Sequence, residues 1–112
     1  MSRVSSISRS GLNAAAQRLS VAAADIANVS TPGYTPHRVE QVSLADGGTA
    51  TTIVPALSQV STIVAGQAAA PSSVALAQEL TQILLAQAAF KANARVLEAD
   101  DKMQTSLLDV LT

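Results

Sequence analysis

Cysteine is absent from the 112-residue sequence, which excludes disulfides, thiolate metal sites and cysteine nucleophiles. Tryptophan is absent too, and the aromatics are two, Tyr34 and Phe90. There is one histidine, His37, so a multi-histidine metal site is excluded. Seven Lys and Arg balance eight Asp and Glu, for a formal net charge of −1. No basic run and no basic–aromatic alternation occurs, which leaves nucleic-acid binding without support. No stretch is long and apolar enough to span a bilayer. Residues 1–10 lack the apolar core of a cleaved secretory signal, so export would use a route that needs none.

The sequence does have alanine, which supplies much of the 48% hydrophobic content. Alanine buries little area, so a lone copy gains little from its own core and partners are expected to supply the missing burial. The length suits one domain, 1–112, in three segments. From 4 to 29 the chain reads as helix: Leu12, Ala15, Leu19, Ala22 and Ile26 recur at alternating threes and fours. Gly11 interrupts this helix, as a bend, a close helix contact or a tolerated weak point. Thr31-Pro32-Gly33-Tyr34 then reads as a type II turn, with proline fixing φ and glycine accepting positive φ. Pro36 keeps the chain extended, His37 reads as a loop residue, and Val39, Val42 and Leu44 suggest a short extended stretch. The rest of 30–72 reads as a flexible or short β connector, with Thr51-Thr52-Ile53-Val54 the candidate strand.

From 73 to 111 there is no Gly or Pro, and Ser72 or Ser73 is positioned to cap a long helix. Its spacing shows two apolar seams. One holds Leu76, Leu80, Ile83, Phe90, Ala94, Leu97, Leu108 and Leu111; the other holds Leu85, Ala89, Ala92, Val96, Ala99, Met103 and Val110. They lie on nearly opposite sides, flanking a solvated stripe in which Glu98 and Lys102 pair at i,i+4. A helix with two apolar sides must be covered twice. The N-terminal helix can cover one seam as an antiparallel partner. Nothing else in the chain is long enough to cover the other, which points to neighbouring copies. The fold class expected is therefore mainly α: two long terminal helices packed as an antiparallel coiled-coil-like hairpin, with a short extended, β or irregular middle.

No constellation for catalysis appears. Asp100 and Asp101 are consecutive helix positions that do not converge. The serines lack a Gly-x-Ser-x-Gly elbow. Gly47-Gly48 lacks the Lys-Ser/Thr of a phosphate loop.

Two motifs carry a resemblance. Ser10-Gly11-Leu12-Asn13-Ala14, Arg18-Leu19 and Ala23 through Tyr34, with Ile26-Ala27-Asn28 and Thr31-Pro32-Gly33-Tyr34, resemble the N-terminal signature of flagellar rod and hook proteins. Val74-Ala75-Leu76, Glu79-Leu80, Ala86-Gln87, Phe90, Ala92-Asn93-Ala94, Val96 and Met103 look like that family's C-terminal helix signature. In order at the two ends, they cover nearly all of the chain but its middle. The short length and Ile7-Ser8-Arg9-Ser10-Gly11-Leu12 resemble the small proximal-rod members, the C type above all. Departures are Asp25, where the family often has Asn; Phe90, where Tyr is usual; and Ala88 or Ala89, where a basic residue is frequent.

The resemblance implies a structural subunit and no enzyme, with no cofactor or metal. It implies terminal helices lining a tubular axial structure that self-assembles and transmits torque. Its partners would be copies of itself, other rod and hook proteins, and the flagellar type III export apparatus. Its place would be the periplasmic rod of the basal body. The residues expected to carry assembly are Leu12, Leu19, Ile26, Leu80, Ile83, Phe90, Asn93, Val96, Leu97 and Met103 on the helices, and Asn28, Pro32, Gly33 and Tyr34 at the turn. A competing reading from the spacing alone is a secreted or cytosolic helical-hairpin adaptor for another protein. Membrane-surface binding by the last helix lacks the Lys/Arg-rich face and Trp anchors it needs.

Overall fold

The computed structural model describes residues 3–56 and 74–112. Helix α1 spans Arg3–Ala27, strands β1 and β2 span His37–Ser43 and Thr49–Pro55, and helix α2 spans Leu76–Leu111. The molecule is a long, thin body of 76 × 25 × 14 Å. It is mainly α, with the two helices antiparallel and the strands forming a two-stranded antiparallel sheet laid against α1.

Helix α1 forms because alanine and long side chains dominate it. It ends at Ala27, where the Asn28 side-chain amide donates to the Ala24 carbonyl at 2.8 Å. The chain then turns at Thr31–Tyr34: the Tyr34 N–H donates to the Thr31 carbonyl at 3.2 Å, and Gly33 has φ 75°. That is the type II geometry its sequence predicts.

His37 is not a loop residue, as the sequence suggested. It opens β1 and pairs with Pro55, the first of seven antiparallel pairs. β2 extends the candidate strand at 51–54 by two residues at its start and one at its end. At the hairpin tip Gly47 and Gly48 have φ 92° and 90°, and both lie against α1, on Ile7 and Ser10. The Thr49 N–H donates to the Ser10 hydroxyl at 3.1 Å. Thr51 is hydrogen-bonded to Gln17. The connector at 46–72 is thus an ordered hairpin as far as Ala56; residues 57–72 of it lie outside the described residues. So do Ser72 and Ser73, and the capping position is Ala75, whose side chain caps nothing.

The helix pair departs from its predicted seams. Gly11 faces Asn93: a Cβ built on Gly11 would lie 2.5 Å from the Asn93 carboxamide oxygen. Asp25 meets Glu79. Gly11 and Asp25 are two heptads apart, as are Asn93 and Glu79, so one register runs along the pair. The line α2 turns toward α1 is Glu79, Ile83, Ala86, Ala89, Asn93, Leu97 and Asp100, recurring at threes and fours. Ile83 and Leu97 come from the predicted first seam and Ala89 from the second. The other positions are small or polar, and Leu76, Leu80 and Phe90 are displaced to an exposed flank. On α1 the buried residues are Ser5, Ser8, Ala14, Ala15, Ala22 and Asp25 rather than Leu12, Leu19 and Ile26. Small side chains win the centre because they let the backbones approach closely, and the larger ones then straddle the contact.

Gly11 is therefore a close helix contact. Gly11→Ala should destabilise the chain by about 1 kcal/mol or more, although alanine is the better helix former by about that amount. Combined with Asn93→Ala, which removes the obstructing carboxamide, it should become neutral or stabilising. Urea melts of the single and double variants check this.

Candidate functional site

A seam of small residues buries few large side chains, and the consequences are visible over the whole surface. The buried hydrophobic residues are Ala14, Ala15, Ala22, Ala56 and Ala86. Among the described residues the largest fully buried side chain is a carboxylate, Asp25, at 0% exposure. Val4, Ile7, Leu19, Leu80, Leu84, Leu85, Phe90, Val96, Met103, Leu107, Leu108, Val110 and Leu111 are all exposed. Every residue from Asp101 to Thr112 is exposed, because α2 runs past the start of α1.

Asp25 organises a polar cluster inside the fold. It sits in the last turn of α1, where the chain reverses. Its carboxylate accepts the Tyr34 hydroxyl at 2.9 Å and the His37 backbone N–H at 3.1 Å. One buried side chain thus ties the end of α1 to the turn and to the first residue of β1. The Tyr34 and His37 rings sit 6.2 Å apart beside it. Burial raises the Tyr34 pKa, and its bond to Asp25 and the charges of Asp25 and Glu79 raise it further, so the hydroxyl stays a donor. Glu79, in the first turn of α2, approaches from the other side. Burial raises its pKa, as do the Asp25 charge and a hydrogen bond shared with Asp25; Arg38 opposes the shift. Two carboxyl groups can share a hydrogen bond only when one holds a proton.

The residues predicted to carry assembly fall into three groups. Asn28, Pro32, Gly33 and Tyr34 form the turn. Asn28 accepts the Thr31 hydroxyl at 3.2 Å, Pro32 and Gly33 are exposed, and Tyr34 reaches back to Asp25. Ile83, Asn93 and Leu97 lie half-buried in the helix contact, with Asn93 also bonded to the Ala89 carbonyl at 2.9 Å. Phe90 lies beside that line and is 45% exposed. Leu12 and Ile26 are half-buried on α1, while Leu19, Leu80, Val96 and Met103 are exposed. Sequence reasoning missed Asp25, Glu79, Ala86 and Asp100 as organising residues. Its available signals were the heptad spacing of Glu79, Ala86, Asn93 and Asp100, and the departure of Asp25 from the usual Asn. The expected Glu98–Lys102 pair is present at 2.7 Å and exposed; such pairs contribute little to stability.

The polar cluster makes two predictions. Asp25→Ala leaves the Tyr34 hydroxyl and the His37 N–H without their acceptor and should cost about 2–3 kcal/mol in urea unfolding. Glu79 carries the opposite sign. Its folded pKa lies above its unfolded one, so its contribution to stability is fully present below the ordinary carboxylate range, about pH 4, and is lost as pH rises through the folded value. Glu79→Gln should therefore stabilise the chain at pH 7, by less than about 1 kcal/mol because the group is only half-buried and water screens it. The difference should vanish as the pH falls below about 4 and should shrink in an Asp25→Asn background.

Among the described residues, no helix is long and apolar enough to cross a membrane, and no group of three or more His, Cys, Asp or Glu is placed to hold a metal ion. Comparison with known families gives two matches that follow the architecture. Residues 6–35, which are α1 and the turn that Asp25 holds, match the family described as "Flagella basal body rod protein". Residues 69–110, which include nearly all of α2, match the one described as "Flagellar basal body rod FlgEFG protein C-terminal". Both families are structural components of the flagellum, and the β-hairpin lies between the two matches. No curated protein sequence matches the chain. With both terminal helices matched in their order along the chain, the protein belongs to the flagellar basal-body rod and hook axial protein family.

Proposed function

We propose that this chain is a structural subunit of the flagellar rod that self-assembles through its terminal helices into a tubular axial structure and transmits torque through packed interfaces. One observation supports this above the rest. The hairpin buries alanine, serine and aspartate, and leaves most of its Leu, Val, Phe and Met side chains on the surface. Large exposed apolar patches are rare on monomeric proteins and mark contact surfaces. The exposed residues lie on more than one side of α2, with Leu80 and Phe90 apart from Leu85, Val96 and Met103. A subunit surrounded by neighbours covers all of them; an adaptor meeting one partner covers one side. Ile7–Leu12 favours a proximal position in the rod, of the C type. Its partners are then copies of itself and other axial proteins, and it reaches the periplasmic rod through the flagellar type III export apparatus. No residue has a catalytic role in this reading.

Purified hook–basal bodies from a swimming cell that expresses the protein should contain the chain at a few copies each, measured by quantitative mass spectrometry. Its absence there would move the reading to the helical-hairpin adaptor. Val96→Asp places a charge on an exposed apolar flank, not in the hairpin contact. It should leave the helix content of the isolated chain unchanged by circular dichroism and reduce incorporation into basal bodies at least tenfold. The isolated wild-type chain should itself melt with low cooperativity at low micromolar concentration and gain helix on assembly.

A further inference from the structure

The two ends of the molecule differ in shape and in charge. At one end α2 projects as a bare helix. Leu107, Leu108 and Leu111 are 64%, 65% and 82% exposed and adjoin on one face, with Met103 and Val110 beside them. Asp101 lies two turns before Leu108 on the same stripe. Lys102 is engaged by Glu98, so the charges that remain on the projecting end are Asp101 and Asp109. At the other end a groove of about 670 Å³ opens between α1, β1 and the start of α2. Val21, Ala22, Val39 and Leu85 give it an apolar lining, and Arg18 and Arg38 line it as well. Among the described residues neither arginine makes an ion pair. The carboxylate that lines the groove, Glu79, shares a hydrogen bond with Asp25 and also feels the charge of Arg38.

We infer that the projecting end of α2 from one copy of this chain docks into the groove at the opposite end of the next copy. This rests on the rod reading and specifies its lengthwise contact. The apolar stripe covers Val21, Val39 and Leu85, and the aspartates of the projecting end meet Arg18 and Arg38. Donor and acceptor surfaces lie at opposite ends of a 76 Å body, so the contact is heterologous and propagates instead of closing a dimer. A helical end of about three turns spans about 15 Å. Its contact falls below the ~1,200 Å² of total buried area that a stable pair needs. A single contact is therefore weak, and the arrangement persists only where many copies repeat it.

The absence of cysteine allows a clean test. Leu85→Cys and Leu108→Cys change exposed residues at the two ends, and each variant is made in the full-length chain. Mixed in equal amounts under assembling conditions and mildly oxidised, they should give a mixed disulfide between different copies as the main product. Arg38→Glu in the Leu85→Cys chain should reduce its yield at least fivefold, and circular dichroism should show unchanged helix content. Polymers that form without the mixed disulfide, or that give mainly the Leu108–Leu108 homodimer, would overturn this docking and leave the rod reading standing. Failure of the wild-type chain to assemble, together with its absence from basal bodies, would remove both.

Discussion

The close approach of α1 and α2 is the constraint on which the rest of this structure depends. Gly11 leaves no room for a methyl group beside Asn93, and alanines and serines line the contact on either side. Helices this close gain dispersion contacts along their backbones but bury little apolar area, because the side chains between them are small. The large apolar residues are pushed to the flanks. The feature that makes the pair thin and regular is thus the one that leaves it incomplete as a monomer.

A thin pair needs its ends held, and Asp25 does this at the turn. A carboxylate without solvent exposure is costly unless its lone pairs are met. Here the Tyr34 hydroxyl and the His37 N–H meet them, and each donor belongs to a different part of the chain reversal. The direction in which the chain leaves α1 is therefore fixed by polar bonds, not by core packing. The hairpin that follows is laid back along α1, where the Ser10 hydroxyl and Gln17 receive it. Glu79 brings the start of α2 to the same carboxylate, so α1, the turn, β1 and α2 meet at one side chain.

This division of labour fits an assembly subunit. Hydrogen bonds and small-residue packing define the shape of the molecule, and most of its large apolar side chains are left unburied. In the proposed rod assembly, neighbours would supply the burial that this core lacks.

The sequence by itself determined a good deal. Helix periodicity and the lack of Gly and Pro after residue 73 marked the long C-terminal helix. Thr31-Pro32-Gly33-Tyr34 marked the turn, because φ preferences are local properties of those residues. Two motifs in order marked the family, and the poverty of large buried residues was already legible in the alanine content. What only the tertiary structure decided was rotation and partnership. Apolar periodicity says which sides of a helix avoid water but not which side a particular partner takes. The contact line turned out to use Glu79, Ala86, Ala89, Asn93 and Asp100 beside Ile83 and Leu97, because backbone proximity favoured small side chains over Leu80, Phe90 and Leu19. Likewise, nothing local to Asp25 or His37 shows that a helix residue will accept the N–H of a strand twelve residues later. That bond exists only once the turn has folded the chain back, so it is a property of the assembled fold and not of any segment within it.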